Sequence, residues 1–99
     1  MAQSANDHRV IDNPERSRYE LHVGDVIAST ADYHRRDDVV VVSYVRTEPE
    51  LRGRGMSDRL MQGLLDDLRA NGLRIEPVCW VAVAYVEHHP AEAAELLAS

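Results

Sequence analysis

The spacing of apolar and polar positions changes period along this chain, and each period predicts a different element. From Arg18 to Val23 the pattern alternates, with Tyr19, Leu21 and Val23 on one side and Arg18, Glu20 and His22 on the other. A period of two predicts a strand buried on one face. Gly24-Asp25 is a two-residue hairpin loop led by glycine, and Val26–Tyr33 is the returning strand. Ahead of them, Val10-Ile11 predicts a short edge strand stopped by Asp12-Asn13-Pro14. Arg35-Arg36-Asp37-Asp38 reads as a charged, solvated turn. Val39 to Val45 is apolar on both sides apart from Ser43, which predicts a central strand covered on both faces. Tight turns between these strands imply an antiparallel meander.

Beyond Met56 the period lengthens. Met56, Leu60, Met61, Leu64, Leu65 and Leu68 form one helical stripe, with Asp58, Arg59, Gln62, Asp66 and Arg69 opposite. Gly63 inside that helix weakens it, and is read as a point of close packing on the sheet. Asn71-Gly72 supplies a left-handed stop. Leu73–Val78 is then a strand that a helical crossover makes parallel to Val39–Val45. Trp80–Glu87 fits a strand by propensity and a helix by spacing; bracketed by Pro77 and Pro90, it is read as a helix. Pro90–Leu97 is read as a short terminal helix docked through Leu96-Leu97. The fold class expected is mixed α/β: an antiparallel meander plus one parallel strand, with helices packed on the sheet. Residues 1–8 are expected to be a flexible tail and 9–99 a single domain.

Composition narrows the partners. The chain has 99 residues and a formal net charge of −6, which argues against a nucleic-acid binder working through bulk electrostatics. It contains no lysine, which excludes a lysine Schiff base and a phosphate-loop lysine. With one cysteine it has no internal disulfide and no cysteine-built zinc site, and no metal site is expected. The first residues lack the apolar core of a signal peptide, and no apolar run is long enough to span a membrane. A cytoplasmic protein without membrane or nucleic-acid partners is expected.

The chemistry is expected where the two periods meet, at Thr47-Glu48-Pro49-Glu50-Leu51-Arg52-Gly53-Arg54-Gly55-Met56. No Ser, Thr, Asn or Asp stands just before Gly55 to cap the helix, so its first N–H groups are free for an anion. A Walker loop needs Gly-Lys-Ser/Thr, which is absent. A dinucleotide fingerprint needs a third glycine where Asp58 stands. A pyrophosphate cradle assisted by Arg52, Arg54 and Ser57 or Arg59 remains, alongside a merely tight turn with solvated arginines.

Leu51-Arg52-Gly53-Arg54-Gly55-Met56 resembles the acetyl-CoA-binding motif Gln/Arg-x-x-Gly-x-Gly/Ala of the GNAT family, the Gcn5-related N-acetyltransferases. From the Arg18–Val23 strand through Pro77-Val78-Cys79, Tyr85-Val86 and His89-Pro90 to Leu96-Leu97, the chain is similar to the short GNAT-like proteins of about this size. It departs from the pattern at Glu50, where the motif has Gln or Arg, and at Tyr44-Val45, where the short proteins usually have His-Thr. The resemblance implies an acyl-CoA N-acyltransferase fold truncated at its C-terminal end, with a shallow acceptor groove. It implies acetyl-CoA as cofactor, pantetheine along Val42, Ser43, Tyr44 and Val45, and diphosphate on Leu51, Arg52, Gly53, Arg54, Gly55, Met56 and Ser57.

Three catalytic candidates follow. Cys79 ends the second strand of the parallel pair and is read either as an acyl-carrying nucleophile or as a structural thiol. Tyr85 is read as the acid that protonates the leaving thiolate, or as a core aromatic. His89, with His88 beside it, is read as a base or as a helix-ending residue. Trp80 is read as a core or interface anchor. The expected function is acetyl-CoA-dependent N-acetyl transfer to an amine on a small molecule or protein, by a monomer or weak homodimer. The alternatives are a CoA-binding module without turnover and an interaction domain that has lost the cofactor.

Overall fold

The computed structural model describes residues 7–98, so Met1–Asn6 of the expected tail lie outside the described residues. Five strands form one sheet in the order β1-β2-β3-β4-β5, with β1 His8–Asn13, β2 Arg18–Val23, β3 Val26–Arg36, β4 Val39–Thr47 and β5 Arg74–Pro77. The first four pair antiparallel, and β4 pairs parallel with β5. Helix α1, Met56–Ala70, connects that parallel pair; α2 is Trp80–His88 and α3 is Pro90–Ala93. A 3₁₀ turn, Pro49–Leu51, leads from β4 towards α1.

Helix α1 buries the predicted stripe. Leu60, Met61, Leu64, Leu65 and Leu68 are inaccessible and pack with Tyr19, Leu21, Val40, Val42, Val45 and Ile75 of the sheet. The Tyr19 hydroxyl donates to Asp67 Oδ2 at 2.7 Å, tying β2 to the helix. Burial and that carboxylate together hold the phenol well above its ordinary range. Gly63 sits over β1: a methyl group there would collide with Val10. The close approach read from the sequence is therefore real, and it explains glycine in a helix interior.

All three helices lie on this one face. Helices α1 and α2 line a common groove through Ser57, Asp58 and Tyr85, and Arg69 of α1 donates to the Glu92 carbonyl of α3 at 2.9 Å. Among the described residues, the other face of the sheet carries no helix. Strand alternation puts Arg18, Glu20 and His22 there.

Several sequence expectations need correction. Arg35 and Arg36 belong to β3, and the turn shrinks to Asp37-Asp38, with Asp37 at a left-handed φ of 56°. Strand β4 is enclosed on both faces only as far as Val42; Ser43 and Tyr44 are exposed. The register explains the change, because Asp32 pairs with Tyr44 and Tyr33 with Val42, leaving Ser43 as an extra residue on β4. Such a bulge bends a strand and increases its twist. The terminal helix is only Pro90–Ala93; the chain then turns back so that Leu97 bridges Ile75 on the outer edge of β5.

Glu20 is the largest correction to the alternation. It lies on the helix-free face yet is only 4% exposed. Arg18 Nε and Asn13 Nδ2 donate to its Oε2 at 2.7 and 3.1 Å, and His22 Nε2 donates to its Oε1 at 2.8 Å. Burial alone would raise its pKa, but these three hydrogen bonds outweigh it and bring the carboxyl from 4.5 down to about 2. A carboxyl held lower in the folded than in the unfolded chain contributes stability that is complete above its unfolded value. That contribution is lost as pH falls through about 2. Urea midpoints of the wild type are therefore expected to fall between pH 4.5 and 2, and Glu20→Gln is expected to flatten that fall while costing about 2 kcal/mol at neutral pH. Parallel pH profiles for the two proteins would contradict this role.

Candidate acyl-transfer site

The site grows from one event in the sheet. Strands β4 and β5 pair from Val39↔Arg74 to Val42↔Pro77 and no further. The N–H groups of Val78 and Cys79 both converge on the Val42 carbonyl, at 3.0 and 3.1 Å. Past that point β5 turns into α2, while β4 runs on to Thr47 with its edge towards β5 unpaired by any strand. Backbone N–H and C=O groups are thereby left for another partner.

One of them is already engaged. The Val45 N–H donates to Cys79 Sγ at 3.4 Å, so the thiol lies across the opening of the gap. Cys79 is the N-cap residue of α2, and its side chain caps no helix N–H. The structure gives it no hydrogen bond to a histidine. The start of α2 is adjacent to the thiol, and no imidazole is within bonding distance of the sulfur among the described residues.

The loop on the other side of the gap has the backbone that the Gly-x-Gly pattern requires. Gly53 and Gly55 have φ of 80° and 77°, a region that side chains with a Cβ rarely adopt. Gly55 is the N-cap of α1 and no side chain caps the helix, so the first-turn N–H groups are unclaimed. Arg52 Nε donates to the Thr47 carbonyl at 3.3 Å, and Arg54 has no carboxylate partner among the described residues. Successive free N–H groups beside unpaired guanidinium nitrogens make a cradle for a polyanion.

Gap and loop form one open cleft of about 440 Å³. Of the cofactor residues expected from sequence, Tyr44, Val45, Arg52, Gly53 and Ser57 line it. Val42 lies at its closed end as the last paired residue of β4, and Ser43 bulges from β4 beside it. Leu51 packs inward on the core together with Met56, and Gly55 shapes the turn without lining the cleft. Arg46, Thr47, Trp80 and Val81 complete the lining; sequence reading missed three of them as site residues and assigned Trp80 only to packing. Trp80 is 78% exposed, which removes the core reading. The exposed Glu50, which departs from the motif, stands in the 3₁₀ turn and does not line the cleft.

Tyr85 and His89 are brought together, but in a different compartment from Cys79. A groove of about 290 Å³ between α1 and α2 adjoins the cleft through Ser57, Trp80 and Val81, and Tyr85, His88 and His89 line its far part. The Tyr85 and His89 rings stack at 4.0 Å. The Tyr85 hydroxyl donates to Glu92 Oε1 at 3.0 Å; burial and that carboxylate push its pKa well above the ordinary phenol value. His89 Nδ1 lies 2.9 Å from the Tyr85 carbonyl and His88 Nδ1 lies 2.8 Å from the Ala84 carbonyl. A carbonyl can only accept, so both Nδ1 atoms carry the proton and each neutral ring has its lone pair on Nε2.

A mixed sheet that splays at its one parallel pair, beside a glycine-built helix start, is the architecture of a GNAT-like α/β transferase. The profile described as GCN5-related N-acetyl-transferase matches residues 18–96, nearly the whole chain, and the protein belongs to that family. No curated protein matches the sequence. Membership of that family supports acyl transfer as the chemistry. Among the described residues no helix is long and apolar enough to cross a membrane, and no group of His, Cys, Asp and Glu is arranged to hold a metal ion.

Proposed function

We propose that this protein transfers an acetyl group from acetyl-CoA to a primary amine. The observation that carries the reading is the coincidence, at one cleft, of a strand edge freed past Val42 and an uncapped helix start whose flanking Gly53 and Ser57 line it. The residues fit CoA in chemical kind. Main-chain groups of Val42 to Val45 suit the amides of a pantetheine arm, and the Leu51–Gly55 loop with Ser57, Arg52 and Arg54 suits a diphosphate. Acetyl-CoA held by these residues would supply an activated thioester as acyl donor, with the CoA thiol as its leaving group.

The chain's own groups then have defined tasks. The amine must reach the gap uncharged, and the Nε2 lone pair of His89 is the proposed acceptor of its proton. Tyr85 is the proposed donor to the departing sulfur. It is held protonated, and must swing its hydroxyl off Glu92 to deliver the proton. Cys79 borders the reacting atoms at the mouth of the gap, and is proposed to relay the acyl group or to hold Val45 ready for it.

Release of free thiol from acetyl-CoA across a panel of amines tests the proposal, with calorimetry of CoA binding alongside. Amine-dependent release with CoA binding is the expected result. Binding without release from any amine would make the protein a CoA-binding module; no binding at all would return it to an interaction domain on the same fold.

A further inference from the structure

The cleft takes lining residues from both faces of the sheet. Its lining takes Ser57 and Val81 from the helical face and Tyr44 and Arg46 from the helix-free face. The glycine loop and α1 start stand on the helical side, which leaves the open face as the free route to the gap. Two of the exposed large apolar residues flank the gap there, Tyr44 on β4 at 54% and Val78 just past β5 at 55%.

Several charges of that face are paired. Arg18 and His22 contact Glu20, Arg36 contacts Glu76, Arg46 contacts Glu48, and Arg74 contacts Asp38. Asp32 lies on the same face, opposite Tyr44 in the β3–β4 register, and its carboxylate has no ion pair or hydrogen bond among the described residues. Ser43 does bond to Asp32, but through the main-chain carbonyl, at 3.3 Å. Arg18, its cross-strand neighbour on β2, turns its Nε to Glu20 at 2.7 Å and makes no ion pair with Asp32. An unpaired carboxylate beside an exposed phenol ring, one strand in from the gap, suits a cation.

We infer that the acceptor is an alkyl diamine or polyamine. One amine enters the gap while a second, charged ammonium rests on Asp32 and against the ring of Tyr44. Neighbouring strands are about 4.8 Å apart, so a nitrogen in the gap and one at Asp32 are separated by roughly 5–10 Å, the reach of a short alkyl chain. This inference rests on the acyltransferase reading above, and names the class of acceptor for it.

The test compares 1,4-diaminobutane with butylamine in thiol release from acetyl-CoA, using the wild type and Asp32→Asn. The wild type is expected to prefer the diamine about tenfold in kcat/KM, mostly through KM, equivalent to ~1.4 kcal/mol. In Asp32→Asn that ratio is expected to fall to about one. Equal use of the two amines by the wild type, or a preference that survives in Asp32→Asn, would overturn the inference. A second measurement keeps the two readings apart: 1,4-diaminobutane is titrated onto the CoA-loaded protein while the amide signals of Asp32 and Tyr44 are followed by NMR. Shifts at both residues without any turnover would support the cation site and sink the transferase reading; no shifts would sink the cation site whatever the turnover.

Discussion

Gly55→Val is expected to weaken CoA binding at least tenfold while the protein stays folded. Open space surrounds the position where a Cβ would stand, so the substitution meets no atom. What it meets is the backbone: φ is 77° at the N-cap of α1, and a β-branched residue in that region is strained by about 1–3 kcal/mol. The loop is expected to relax by turning the peptide groups between Gly53 and Met56, and with them the N–H groups of the helix start beside the cleft. Each charge-assisted hydrogen bond lost is worth about 1.5–3 kcal/mol, so losing a single one accounts for the tenfold. Gly72→Val is the control. Its φ is 68°, at the opposite end of the same helix, so it carries similar strain without touching the cleft. Calorimetry should show CoA affinity lost in the first variant and kept in the second. Equal affinities in both would mean that the glycine loop is only a tight turn.

Cys79→Ala is expected to lower amine-dependent thiol release by at least tenfold, while CoA binds as well as before or a few-fold better. The two effects have opposite signs because the sulfur does two things. It occupies the Val45 N–H at 3.4 Å, a donor that a pantetheine amide or a thioester carbonyl needs, so removing it frees that group. It is also a nucleophilic side chain at the mouth of the gap, and its loss removes any acyl relay. Intact mass after incubation with acetyl-CoA separates relay from positioning: an acetyl adduct on the wild type that is absent from Cys79→Ala supports the relay. No adduct on the wild type, with release still lost in the variant, supports positioning. Unchanged release in Cys79→Ala would remove Cys79 from the mechanism.

How much of this was legible beforehand differs from element to element. Strand β2 and helix α1 were read to within a residue, because a period of two or of 3.6 is a local property that survives any arrangement of neighbours. The Gly-x-Gly turn was legible for a related reason: φ near 80° at Gly53 and Gly55 is a demand on single residues. The reach of β4 was not legible, since whether Ser43 and Tyr44 are covered depends on a bulge against β3 and on where β5 departs. Trp80 shows the same limit, because its apolar bulk gave no sign that it would stand almost fully exposed at the cleft.

The sequence by itself determined the kinds of element, their order, and the glycine-built helix start on which the site depends. Only the tertiary structure decided which groups meet. Cys79 reached the Val45 N–H across 34 residues, Tyr85 gave its hydroxyl to Glu92, and Glu20 disappeared among Asn13, Arg18 and His22 on the face expected to be wet. The reason is physical. Periodicity reports which side of an element is apolar, whereas the partner of each polar group is set by pairing between distant strands, and a buried polar group must find that partner wherever the fold brings one.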